Sequence, residues 1–216
     1  MQKIKAVIFD LDGTLANTLP LCIAAFKKAI EPLVNHQISD EEIIATFGPS
    51  EEGTIWALAP NNFDKGVSDY LAFYKDLHSL CPEPFDGLLE ILTELRNKNI
   101  HLSMVTGKGN LSAAISLEKF GLTHFFKYVE TGIKEGPSKP EGIQHILNKL
   151  KDIAKDEVVY IGDAPSDITA CRKVGIPIVA AAWAETAEAE KLIALKPNEL
   201  FYSIADFKDW LYPKIN

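Results

Sequence analysis

Asp10 and Asp12 stand two residues apart in Asp10-Leu11-Asp12-Gly13-Thr14, directly after the apolar run Ile4 to Phe9. In an extended segment alternate side chains point the same way, so this spacing places two carboxylates on one side of the chain. Two further apolar runs end in a comparable manner. Leu102 to Val105 stops at Thr106-Gly107-Lys108, and Val158 to Ile161 stops at Gly162-Asp163-Ala164-Pro165-Ser166-Asp167. Taken singly, an Asp-Gly pair is a turn signal, and a carboxylate at a strand end often caps the next helix. Taken together, the three ends predict converging carboxylates, which repel one another and rise in pKa unless a cation sits among them. Mg²⁺ suits such a site: it prefers oxygen ligands, keeps several waters, and takes one or two carboxylates along with phosphate oxygens.

The first run, Ile4 to Phe9, is β-branched and aromatic and lacks helical periodicity, as a buried strand does, and the other two are further strand candidates. Ile176 to Ala180 and Lys127 to Thr131 read as two more strands. Leu88, Ile91, Leu92 and Leu95 recur at helical spacing, and so do Ile143, Ile146, Leu147 and Leu150, each set lining one helix face. Strands alternating with helices predict an α/β fold, a Rossmann-like parallel sheet with helices on both faces. Ligands of such sheets collect beyond the carboxyl ends of the strands, where the acidic segments fall.

Between the first strand and Pro84 the pattern changes, because Leu19 to Ile30, Ser39 to Phe47, Ser50 to Leu58 and Val67 to Leu80 all read as helices. Ser39 and Glu42 form a capping box, and Val67, Tyr70, Leu71, Tyr74 and Leu77 supply an apolar stripe. This stretch is too long for a simple connection. It predicts an inserted helical domain over residues 16–84, with residues 1–15 and 85–216 forming the α/β body.

Asp10-Leu11-Asp12-Gly13-Thr14, Thr106, Lys139 followed by Pro140, and Gly162-Asp163-x-x-x-Asp167 resemble the four motifs of the haloacid-dehalogenase superfamily of phosphatases. The helical insert after the first motif resembles the cap of its phosphoglycolate-phosphatase-like subgroup. The resemblance implies a nucleophilic Asp10, which attacks phosphorus to form an aspartyl-phosphate. It implies that Asp12 is the general acid and base, that Thr106 binds phosphoryl oxygens, and that Lys139 offsets charge on the phosphoryl group and Asp10. Gly13, Gly107 and Lys108 fall where the phosphate is bound. Mg²⁺ is expected on Asp10, Asp163 and the backbone carbonyl of Asp12, with Asp167 orienting a bound water or Lys139.

The presence of Asp12 disfavours a dehalogenase. Phosphomutases of the family carry a His twelve residues after the nucleophile, where this chain has Cys22, so a phosphotransferase is the weaker alternative. Phosphonatases place a Schiff-base Lys early in the cap, where Gly48-Pro49-Ser50-Glu51-Glu52 stands here, a loop resembling the cap specificity loop of phosphoglycolate phosphatases and related pyrophosphatases. Asn17 departs from the acid found in many relatives. A phospho-accepting receiver module also combines carboxylates, Mg²⁺, Thr and Lys on a parallel sheet, but it carries its Asp further along the chain and has no helical insert.

The 216 residues carry 22 Lys and Arg against 30 Asp and Glu, a net charge of −8 that repels nucleic acid polymers and anionic lipid. No Gly-x-x-x-x-Gly-Lys-Ser/Thr, His-Glu-x-x-His or Gly-x-Ser-x-Gly occurs, which sets aside P-loop, zincin and serine-esterase chemistry. Three scattered cysteines suggest a reducing compartment, and no apolar run reaches about 18 residues, so the expected setting is cytoplasmic with no membrane partner. The expected partner is a small phosphorylated metabolite: phosphoglycolate, pyrophosphate, a nucleotide or a sugar phosphate.

Overall fold

The computed structural model describes residues 3–215. Its centre is a six-stranded, wholly parallel sheet in the order β3-β2-β1-β4-β5-β6. The strands are β1 (Ala6–Phe9), β2 (His101–Val105), β3 (Tyr128–Glu130), β4 (Val158–Gly162), β5 (Ile178–Ala181) and β6 (Glu199–Phe201). Alternation sorts the strand side chains onto two cores. Val7, Phe9, Leu102, Met104, Val159 and Ile161 join one apolar cluster, while Ala6, Ile8, Val105, Val158, Tyr160 and Ile178 join the other. Both faces are covered by helix, which is why the strands read as continuous apolar runs.

The helices are α1 (Leu19–Val34), α2 (Asp40–Ile44), α3 (Glu51–Leu58), α4 (Phe63–Asp76), α5 (Leu88–Asn97), α6 (Asn110–Lys119), α7 (Lys139–Lys149), α8 (Pro165–Val174), α9 (Ala189–Ala194) and α10 (Ile204–Ile215). The stripes expected of α5 and α7 are buried in full, Leu88, Ile91, Leu92 and Leu95 on one side and Ile143, Ile146, Leu147 and Leu150 on the other. The α/β architecture with helices on both faces is therefore as the sequence foretold.

Helices α1 to α4 lie between β1 and α5 with no strand among them. The chain enters and leaves this segment side by side, since the Phe85 amide donates to the Leu15 carbonyl at 2.9 Å. The Ser39–Glu42 capping box forms as expected, with both bonds present. Boundaries within the insert differ from expectation, α1 running on to Val34 rather than ending at Ile30. Helix α2 ends at Ile44 rather than Phe47, α4 begins at Phe63 rather than Val67, and residues Leu77–Leu80 form a 3-10 turn rather than more α-helix. The short edge strand β6 was not foreseen, because three residues are too few to show a period.

Candidate active site

Strand register sets the site. Phe9 pairs with Met104 on β2 and with Ile161 on β4, so the three acidic or polar ends emerge at one level of the sheet. This is the point where the strand order reverses, the usual ligand crevice of a doubly wound sheet. A cavity of about 300 Å³ opens there, walled by Asp10, Asp12, Gly13, Gly107, Lys108, Lys139 and Asp163 from the sheet side.

Lys139 is the first residue of α7, and its Nζ donates to Asp10 Oδ2 at 2.6 Å and to Asp167 Oδ1 at 2.6 Å. Asp10 Oδ1 accepts the Leu11 amide at 2.7 Å. Asp167 is fully buried and also accepts from the Tyr160 hydroxyl at 3.0 Å and the Ala164 amide at 3.0 Å. Asp163 accepts from the Thr14 hydroxyl at 3.1 Å. One carboxylate oxygen from each of Asp10, Asp163 and Asp167 lies within 4.8 Å of the other two.

One lysine does not balance three carboxylates. Burial, reinforced by Asp167 and Asp12 and opposed by Lys139, lifts the Asp10 carboxyl to about 7. Burial likewise holds Asp163 well above the ordinary carboxylate range, with Asp10 and Asp167 adding to it. Such crowding is the condition a hard divalent cation relieves, and the donor set is all oxygen. Gly13 has φ +71° there, and a Cβ on it would stand 2.0 Å from Asp163 Oδ2, so only glycine lets the loop approach this carboxylate. The residues thus fit a divalent cation. Asp167 accepts from Lys139, Tyr160 and Ala164, Asp10 from Leu11 and Lys139, and Asp163 from Thr14 alone, which leaves Asp163 and then Asp10 as the carboxylates freer to face one.

Asp12 lies on the same cavity, but its side chain is tied to the Thr18 hydroxyl and to Lys108 Nζ at 3.2 Å. Thr106 is buried at the end of β2, where its hydroxyl oxygen receives the Lys108 amide at 3.2 Å, while Gly107 and Lys108 supply the cavity wall. Lys108 is itself buried, with its ammonium 3.3 Å from Cys22 Sγ and 4.5 Å from the centre of the Tyr74 ring.

Several neighbours escaped the sequence reading. Tyr160, Thr14, Thr18 and Tyr74 each place a hydroxyl or ring on a site residue. Tyr160 carried a usable signal, since a tyrosine inside a buried strand needs a partner for its hydroxyl.

A crevice of this kind on a capped α/β sheet is that of a phosphate-ester hydrolase, and comparison with known proteins agrees. The family profile described as haloacid dehalogenase-like hydrolase matches residues 7–181. The chain belongs to this family and is an enzyme of the phosphatase type. Pyrophosphatase PpaX of Bacillus pumilus (strain SAFR-032) is 31% identical over 207 residues, covering 95% of each chain. A predicted phosphoglycolate phosphatase of Haemophilus somnus 129PT shares the fold with a TM-score of 0.79 at 22% identity, over 97% of this chain and 99% of that one. A hydrolase of Pseudomonas syringae does so with a TM-score of 0.79 at 22% identity, over 96% and 97%.

Proposed function

We propose that the protein hydrolyses a small phosphorylated metabolite through an aspartyl-phosphate on Asp10, with residues 16–84 acting as a cap over the site. The observation that carries this reading is the meeting of Asp10, Lys139 and Asp163 at one cavity, with the buried Asp167 bonded to Lys139 behind it. A carboxylate oxygen of Asp10 attacks phosphorus as the bond to the leaving oxygen breaks, dividing one hard displacement into two easier ones. Lys139 holds Asp10 in place and offsets the charge gathering on the phosphoryl oxygens. Asp12 gives its proton to the departing oxygen after swinging from Thr18 and Lys108 towards it. The same carboxylate then takes a proton from the water that attacks phosphorus, releasing phosphate and restoring Asp10. Thr106 and the Gly107 backbone frame the phosphoryl oxygens, and Asp167 orients Lys139. Mg²⁺ held by Asp10, Asp163 and the Asp12 carbonyl would supply Lewis-acid stabilisation of the phosphoryl charge.

The relatives' names, pyrophosphatase and phosphoglycolate phosphatase, support small phosphorylated substrates as a class. The cavity volume of about 300 Å³ agrees, being near the small end for metabolite sites. Multiple turnover of p-nitrophenyl phosphate with Mg²⁺ is the expected result, reduced at least ~1,000-fold by Asp10→Asn and abolished by EDTA. Full metal-free turnover, or an active Asp10→Asn variant, would refute the mechanism. Stoichiometric labelling without turnover would point instead to a receiver.

A further inference from the structure

Glu51 is the first residue of α3, and it is 6% exposed on the wall of the catalytic cavity. Its Oε2 accepts the Gly109 amide at 2.6 Å, a bond between the helical insert and the α/β body. Its other oxygen, Oε1, is buried without a hydrogen-bond partner. Among the described residues no cation lies in ion-pair range of this carboxylate. A buried carboxylate oxygen left without a donor is costly, which marks Glu51, a residue of the cavity wall, as a place for a ligand donor.

The cavity's other charged group on that side does not invite an anion. Lys108 has its ammonium committed to Asp12 Oδ1 at 3.2 Å, Cys22 Sγ at 3.3 Å and the Tyr74 ring at 4.5 Å. With Asp12 in place the ammonium is engaged by protein groups, and only the contact with Asp12 is released when that carboxyl turns to the departing oxygen. Phe26, Phe47 and Leu19 supply apolar wall to the same cavity as Glu51. A leaving group entering this cavity meets a mostly apolar wall, the hydroxyl-bearing Thr54 and Tyr70, and the Glu51 carboxylate.

Resting on the phosphatase reading of Asp10, we propose that Glu51 selects the leaving group. The substrate is a phosphate ester whose leaving group presents a hydrogen-bond donor, a hydroxyl or an ammonium, to Glu51 Oε1. Esters whose leaving group is itself anionic are disfavoured, because a second negative charge would be buried against an acceptor. This separates the chain from the relatives named for pyrophosphate and phosphoglycolate, both of which have anionic leaving groups.

The test is a matched series of two-carbon phosphomonoesters with Mg²⁺, ending in ammonium (phosphoethanolamine), hydroxyl (2-hydroxyethyl phosphate), methyl (ethyl phosphate) or carboxylate (phosphoglycolate), together with pyrophosphate. The expected kcat/KM for the better donor ester exceeds that for phosphoglycolate by about 10- to 100-fold, the worth of one charge-assisted bond. The ammonium and hydroxyl arms show which donor the site takes. Glu51→Gln keeps an oxygen for the Gly109 amide and replaces the free acceptor with a donor, so this ratio should collapse at least ~5-fold, mainly through KM for the donor ester. The wild-type series stands by itself if the variant folds poorly. Phosphoglycolate or pyrophosphate as the best wild-type substrate would overturn the proposal. So would a Glu51→Gln variant that slows all esters equally, which would make Glu51 only a clasp on Gly109. Failure to turn over any of these esters or p-nitrophenyl phosphate would instead sink the phosphatase reading beneath it.

Discussion

Lys108 and Lys139 are both buried ammoniums on one cavity, yet their neighbours give them different work. Lys139 faces two carboxylates of the reacting centre at 2.6 Å, whereas Lys108 holds Asp12 and a cysteine sulfur away from it. Cys22 shows which effect wins beside Lys108. Burial pushes its thiol up to about 11, and the nearby ammonium only partly offsets this, so the sulfur stays a neutral acceptor rather than a reactive thiolate. The consequence for stability has a definite sign. The unfolded thiol ionises near its ordinary 9.0 while the folded one keeps its proton to about 11, so folding loses stability as pH climbs through that window. Urea unfolding at pH 8 and at pH 10.5 should therefore show Cys22→Ala closing part of its gap to the wild type at the higher pH. A gap that is constant across that range would mean the thiol ionises in the folded state as readily as in the unfolded one.

At the scale of elements, the loop after β1 does the most demanding positioning. Gly13→Ala combines a φ of +71° with a Cβ 2.0 Å from Asp163 Oδ2. It should destabilise the fold by about 2–4 kcal/mol and displace Asp163, lowering turnover and weakening Mg²⁺ binding together. Calorimetric Mg²⁺ titration of the variant checks this, and unchanged binding would mean that Asp163 has room to move. This loop was legible in the sequence because a buried strand, two carboxylates and a glycine follow one another within eight residues. So were the ends of β2 and β4, each a largely apolar run stopped by glycine and a polar residue. Lys139 was not legible from its own neighbourhood, since the first residue of a helix with one apolar face reads as solvated surface; only the family resemblance singled it out. Glu51 was visible as an acid in a turn, but its burial depends on Gly109, 58 positions away, and no local period records such a contact. The capping box at Ser39 was readable for the opposite reason, both partners lying within one helical turn.

Over the whole molecule, the helical insert and the body do not have separate apolar interiors. Leu21, Phe26, Ile30, Ile55, Tyr70 and Tyr74 of the insert belong to the same buried cluster as Phe9, Leu88, Met104, Leu117 and Phe207 of the body. Tyr74 adds a hydrogen bond to Ser116 across the two parts at 2.7 Å. A cap that opens to admit substrate must then pivot about the paired segments at Leu15 and Phe85, where the cluster persists, rather than detach as an independent unit. The tryptophans are placed to test this. Trp56 lies in the insert, exposed, whereas Trp183 and Trp210 pack on Phe207 in the body. A Trp56→Phe variant reports the body alone, and a Trp183→Phe, Trp210→Phe double variant reports the insert alone. Shared burial predicts that the midpoints of urea unfolding, each referred to far-UV circular dichroism of the same variant, coincide for both reporters. An insert that melts first would show that the contiguous cluster does not couple the two parts. Opening would then proceed by local unfolding, and the contact of Glu51 with Gly109 would form anew with each substrate bound.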